Sequence, residues 1–181
     1  MENVTKTIVV NLFAGPGAGK STGAAYIFSL LKMAGIDAEL VTEFAKDKVW
    51  EKSDPLVFKS QIHLFGEQTW RMTRCNGKVA VIVTDSPLIL NSLYCDENEP
   101  WYPYFKKVIK AEFDKYINYN FFIDRRKDYN PNGRNQTYEE AQELDRILLN
   151  MLTELEVPFS RVSGDKAGYE SIVQQILEII K

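Results

Sequence analysis

The sequence is short of several things, and each shortage excludes something. Its 181 residues hold 22 Lys and Arg against 25 Asp and Glu, a formal net charge of −3, so no global basic field gathers nucleic acid. Only a local basic groove stays open. There are two cysteines, Cys75 and Cys95, without metal-like spacing, and free thiols in a reducing compartment are expected. The one histidine, His63, is expected to be structural or on the surface. No apolar run approaches the ~18 residues that span a bilayer, and Met1–Lys6 has no signal-peptide pattern. The expectation is a cytoplasmic protein with no membrane partner. Repeats, low-complexity tracts and interdomain linkers are also missing. With 45% hydrophobic and 26% charged residues, the composition is that of a soluble globular chain. One domain over 1–181 is expected, with a lid near 125–140.

What is present is one dominant stretch. The apolar run Ile8–Phe13 feeds into Ala14-Gly15-Pro16-Gly17-Ala18-Gly19-Lys20-Ser21-Thr22, and a helical pattern follows over Thr22–Ala34. Strand, glycine-rich turn, helix is the setting of a phosphate-binding loop. Glycines admit the backbone angles that turn N–H groups inward and let phosphate approach. The helix start adds its positive end. Lys20 is then expected on the β/γ oxygens of ATP, with Ser21 on Mg²⁺. The pattern has Ala14 where its first glycine belongs, while Gly15, Gly17 and Gly19 keep the turn.

Strands and helices alternate along the rest of the chain. Strands are expected over Ile36–Thr42, Val79–Thr84, Asn120–Asp124 and Val157–Val162. Helices are expected over Pro55–Arg74, with Phe58, Ile62, Phe65, Thr69 and Met72 on one face, from about Pro103 to Tyr116, from a capping box at Thr137–Glu140, and at the C-terminus. A shorter helical piece opens at Pro87. This order implies a five-stranded parallel sheet between helical layers, an α/β three-layer sandwich.

Ligands of such sheets sit at the carboxyl ends of the strands, so the residues there are the candidates. Strand two ends at Glu43. An acid there takes a proton from a substrate hydroxyl or holds a sugar hydroxyl; the alternative is a surface helix cap. Strand three ends at Asp85-Ser86, where an acid reaches Mg²⁺ or caps the Pro87 helix. Strand four ends at Asp124-Arg125-Arg126. One of these arginines, with Arg134 from Asn132-Gly133-Arg134 in the lid, suits the charge on a transferred phosphoryl group. Strand five leads to Gly164-Asp165-Lys166, expected beside adenine. Gln61, Gln68 and Arg71 are candidates for lining a substrate cleft. The aromatics Trp101, Tyr102, Tyr104 and Phe105 suit a packed loop base, an interface or a stacked base.

Taken together these residues resemble the nucleoside- and nucleotide-kinase branch of the P-loop NTPases. Ala14–Thr22 is similar to the adenylate-kinase type of loop. Thr42-Glu43-Phe44-Ala45-Lys46 is similar to the Glu-Tyr-Ala-Arg stretch of ribosylnicotinamide kinase-like proteins, with Lys46 in the arginine position and Asn132 where aspartate is common in the lid. The whole chain resembles small AAA-type ATP-binding proteins found in bacteriophages. The resemblance implies an ATP- and Mg²⁺-dependent phosphotransferase acting on a nucleoside-like small molecule. Deoxynucleoside kinases carry a glutamate after strand two that acts as the base, which by resemblance gives Glu43 that role. Two other classes stay open: a kinase acting on a nucleic-acid end or modified base, and a nucleotide-gated ATPase or interaction protein. The acceptor and the oligomeric state are not legible.

Overall fold

Val9, Val10, Leu12 and Phe13 are fully buried, alternate residues pointing into two separate apolar clusters. A strand covered on both faces belongs in the middle of a parallel sheet. The computed structural model, which describes residues 6–126 and 137–180, has it there. The strands are β1 (Ile8–Phe13), β2 (Ala38–Val41), β3 (Val81–Thr84), β4 (Ile117–Asp124) and β5 (Ser160–Ser163). They form one sheet in the order β2-β3-β1-β4-β5, and every neighbouring pair is parallel. This is the expected α/β three-layer sandwich of a P-loop NTPase. The chain leaves β1 toward β3 and β2 on one side and later reaches β4 and β5 on the other. The crevice at the carboxyl end of β1 is therefore a topological switch point.

The helices are α1 (Lys20–Met33), α2 (Phe44–Trp50), α3 (Leu56–Lys59), α4 (Gln61–Thr73), α5 (Tyr102–Phe113), α6 (Tyr138–Glu154) and α7 (Lys166–Ile180), with a 3-10 helix at Leu88–Leu93. One apolar cluster joins Ile27 and Leu31 of α1 to Ile172 and Ile176 of α7 under Val10, Leu12 and Ile123. The other joins Phe65 and Met72 of α4, Phe105 and Ile109 of α5, and Leu148 and Leu152 of α6 to Val9, Phe13 and Phe122. Each fully buried side chain of this size contributes ~1.5–3 kcal/mol. Cys75 and Cys95 are buried free thiols. Thr137 and Glu140 form the expected reciprocal cap of α6.

Some expectations need correction. The single helix over Pro55–Arg74 is two helices, because Ser60, at φ −87° and ψ 73°, leaves the helical region between α3 and α4. The inward face of α4 is then Gln61, Leu64, Phe65, Gln68 and Met72, and Ile62 is 54% exposed. The fifth strand starts at Ser160 rather than Val157, since Pro158 has no N–H for a ladder. The fourth starts at Ile117, three residues early, and carries Asn118 and Asn120 inside the sheet. The amide of buried Asn11 donates to the side-chain oxygens of both, at 2.8 and 2.9 Å. A polar cluster inside a strand hides the strand from an apolar pattern. Among the described residues no helix is long and apolar enough to cross a membrane.

Candidate active site

The loop between β1 and α1 is shaped by contacts on both flanks. Gly19 caps α1 at φ 105°, a left-handed angle that glycine takes without strain, and the Tyr169 hydroxyl of α7 donates to its carbonyl at 3.2 Å. A Cβ at Gly15 would lie 2.6 Å from the Ala141 carbonyl of α6, so this side of the loop is also closed. Ala14, in the place of the first glycine, is buried with the core, and its carbonyl accepts from Lys20 Nζ at 2.6 Å. Lys20 also reaches the Gly15 carbonyl at 3.2 Å. Burial pushes the Lys20 ammonium below its ordinary pKa, against the charges of Glu43, Asp85 and Asp145, which favour the protonated form. Ser21 and Thr22 stand exposed in the first turn of α1.

Three elements bring acids and a hydroxyl to one cleft of about 280 Å³ beside this loop. Ser21 comes from α1, Glu43 from the end of β2, Asp85 from the end of β3, and Lys46 and Trp50 from α2. Neither acid is spent on a cap: no side-chain capping bond is made at the start of α2 or of the 3-10 helix. Glu43 is half-buried, and desolvation raises its carboxyl above the ordinary glutamate range, with Lys20 opposing the rise. Tyr94, more than half exposed, lies within electrostatic reach of Glu43, whose charge adds to desolvation in raising the phenol. Asp85 is 4% exposed, and among the described residues its Oδ1 has no hydrogen-bond partner. A buried carboxylate oxygen left without a donor, in one cleft with an exposed serine hydroxyl, fits a hard divalent cation. Asp85 and Ser21 are the residues that would hold it.

The corner that carries Glu43 is built by α4. Gln68, 2% exposed, accepts from Phe44 N–H at 2.9 Å and donates to the Thr42 carbonyl at 3.3 Å, so it straddles Glu43. Arg71 donates to the same Thr42 carbonyl, pairs with Asp47, and stacks over the Phe44 ring 5.1 Å from its centroid. The His63 ring meets that of Phe44 edge-on at 5.6 Å. Gln68 thus points at backbone, and Gln61 likewise donates to the Phe58 carbonyl at 2.8 Å.

The remaining candidates are dispersed. Arg125 lies against the loop: its Nε pairs with Asp145 at 2.5 Å, and its terminal nitrogens donate to the carbonyls of Pro16 at 2.6 Å and Ala141 at 3.1 Å. Arg126 is exposed and donates to Ser163 Oγ at 3.1 Å. Lys166, exposed at the start of α7, is 3.7 Å from Glu170. Gly164 before it packs on the loop, where a Cβ would be 2.9 Å from the Ala18 carbonyl. Arg134 and most of the expected lid lie outside the described residues. Trp101 and Phe105 meet edge-on at 5.4 Å, and Phe105 meets Phe65 the same way, so these two pack on the core, whereas Tyr104 is 70% exposed. Sequence reasoning did not single out Asp145, Trp50 or Tyr169. Asp145 lies among the acids of an amphipathic helix, and no spacing marks it.

Residues 9–169 match the family model of the AAA domain. No curated protein matches the chain by sequence. Among solved structures, the fold is similar to that of NadR protein in complex with NR, with a TM-score of 0.71 at 15% identity. It is also similar to NadR protein in complex with NAD and AMP-PNP, with a TM-score of 0.63 at 12% identity. Each comparison covers 96% of this chain, but 51% and 49% of the NadR chains, so the chain spans about half their length.

Proposed function

The chain belongs to the AAA domain family, and we propose that within this nucleotide-binding class it is a phosphotransferase that uses Mg-ATP to phosphorylate a nucleoside-like small molecule. One observation carries the reading. Glu43, an acid that no capping bond occupies, lines the same cleft as Ser21 and Asp85, within electrostatic reach of Lys20. A base in this place serves the acceptor hydroxyl in transfer, and the acceptor panel below separates transfer from hydrolysis, in which water takes that place.

In this reading the amides of residues 17–22 hold the polyphosphate, and Lys20 exchanges its two carbonyl partners for β/γ oxygens. Ser21 and Asp85 would hold Mg²⁺, which when bound supplies charge for the phosphates. Glu43 takes the proton of the acceptor hydroxyl as its oxygen bonds to the γ-phosphorus and the bond to the ADP oxygen breaks. ADP and a phosphomonoester are the products. Burial lifts the Glu43 carboxyl toward the working pH, where proton transfer is most effective. Arg126 and Arg134 are the candidates for charge on the transferred group, and Lys166 for the adenine side. Trp50, 70% exposed on the cleft wall, offers an apolar face to the acceptor's ring. The complexes of the NadR proteins with NR and with AMP-PNP support an acceptor of that class.

The test is phosphoryl transfer from radiolabelled Mg-ATP to a panel of nucleosides, nucleoside monophosphates and ribosylnicotinamide. Transfer to one of them is expected, and its loss in E43Q. Tight ATP binding with no transfer to any member would refute the assignment.

A further inference from the structure

We propose that Asp145 is a positioning residue for the nucleotide loop, one carboxylate that clamps the loop's first turn and, through Arg125, its shoulder to α6. The inference rests on the loop of residues 15–22 binding nucleotide, not on which acceptor is used. Asp145 Oδ1 accepts from Gly15 N–H at 2.5 Å, and Oδ2 pairs with Arg125 Nε at 2.5 Å. Arg125 in turn donates to Pro16 and Ala141 carbonyls, so the loop, the end of β4 and α6 meet at one ion pair. Both side chains are largely buried, at 12% and 17% exposure. Gly15 has room for this only as glycine, because a Cβ would lie 2.9 Å from both Asp145 Oδ1 and an Arg125 terminal nitrogen.

The functional consequence is preorganisation. A loop with three glycines has much conformational entropy to lose when it closes on phosphate. Asp145 and Arg125 remove part of that freedom before nucleotide arrives. They do so at the outer turn, leaving the amides nearer α1 for phosphate. The Asp145 charge also favours the protonated form of Lys20, the form that binds phosphate.

The experiment titrates the fluorescent probe mant-ATP, with Mg²⁺, into the full chain and into D145N, D145A, R125Q and D145N/R125Q, alongside thermal melts. In D145N the side-chain carbonyl still accepts from Gly15 while its amide faces the Arg125 donor, which separates the two halves of the clamp. D145N is expected to bind roughly tenfold more weakly and D145A more weakly still. D145N should melt within a few degrees of the wild type. The double variant should lose no more than the worse single one. If D145A does not fold, D145N alone decides. Wild-type affinity in D145N, a loss that only follows its unfolded fraction, or additive losses in the double variant would overturn the proposal. Failure of the wild type to bind mant-ATP would overturn the nucleotide-loop reading and this inference with it, whereas normal wild-type binding with unchanged variants overturns the inference alone.

Discussion

Gln68 holds Glu43 without touching it: the buried amide binds the peptide groups on either side of that residue, Thr42 C=O and Phe44 N–H. Replacement by leucine leaves a buried N–H without an acceptor, a cost of about 1–3 kcal/mol. It also releases the turn that aims the acid. Q68L is therefore expected to lower stability by that amount in chemical denaturation. It should reduce kcat by roughly tenfold or more while leaving KM for ATP unchanged. An equal effect on ATP binding would place Gln68 in a general structural role.

The carboxyl of Glu43 titrates above its ordinary value of 4.5 because burial disfavours the charge. Since the folded-state pKa is the raised one, the associated stability is complete below the unfolded value and is lost as pH rises through the folded value. E43Q should accordingly melt higher than the wild type at neutral pH, with the gap closing under acid conditions. Activity should move the other way. Wild-type kcat/KM should fall on acidification with an apparent pKa above 4.5, and E43Q should lose about 10²–10⁴-fold in kcat along with that acid limb.

Among the described residues Asp85 keeps one buried oxygen without a donor. Such an arrangement costs free energy that a bound cation would offset. D85N should leave the ligand-free melting temperature unchanged or higher. It should raise the Mg²⁺ concentration needed for half-maximal activity by tenfold or more, about 1.4 kcal/mol of cation affinity. A melt that shows D85N collapsing without nucleotide would contradict this assignment.

Lys20 donates to two loop carbonyls, which a phosphate can replace. A charge-assisted bond is worth about 1.5–3 kcal/mol, so K20M should weaken mant-ATP binding roughly 10- to 100-fold while retaining the fold by circular dichroism. Unchanged affinity would mean that the phosphates lie elsewhere.

Much of this architecture is legible in the residues themselves. The run Val81–Thr84 is β-branched throughout and Ile8–Phe13 is apolar apart from Asn11, and a strand buried on both faces reads that way. That Glu43 and Asp85 line one cleft was legible because both follow strands of a parallel sheet, whose carboxyl ends lie together. The strut formed by Asp145 was not legible, since it depends on α6 lying beside Gly15, a neighbour 130 residues away. Gln68 was legible as polar on a helical pattern, but its partners were not. The break at Ser60, a residue type that favours helix starts, escaped because the helical spacing of Phe58, Ile62 and Phe65 runs straight through it, and it caps α4 without a side-chain bond.

The amide cluster of Asn11, Asn118 and Asn120 bears on how this sequence is able to vary. Asn11 bridges the other two, Asn118 donates onward to the Phe113 and Tyr116 carbonyls, and Asn120 to that of Pro158. Changing any one of them to an apolar residue strands donors or acceptors on the rest, and changing all three takes the side-chain donors from the Phe113, Tyr116 and Pro158 carbonyls. The trio therefore acts as one polar unit at the β1–β4 seam, joining the sheet interior to the chain segments that precede β4 and β5.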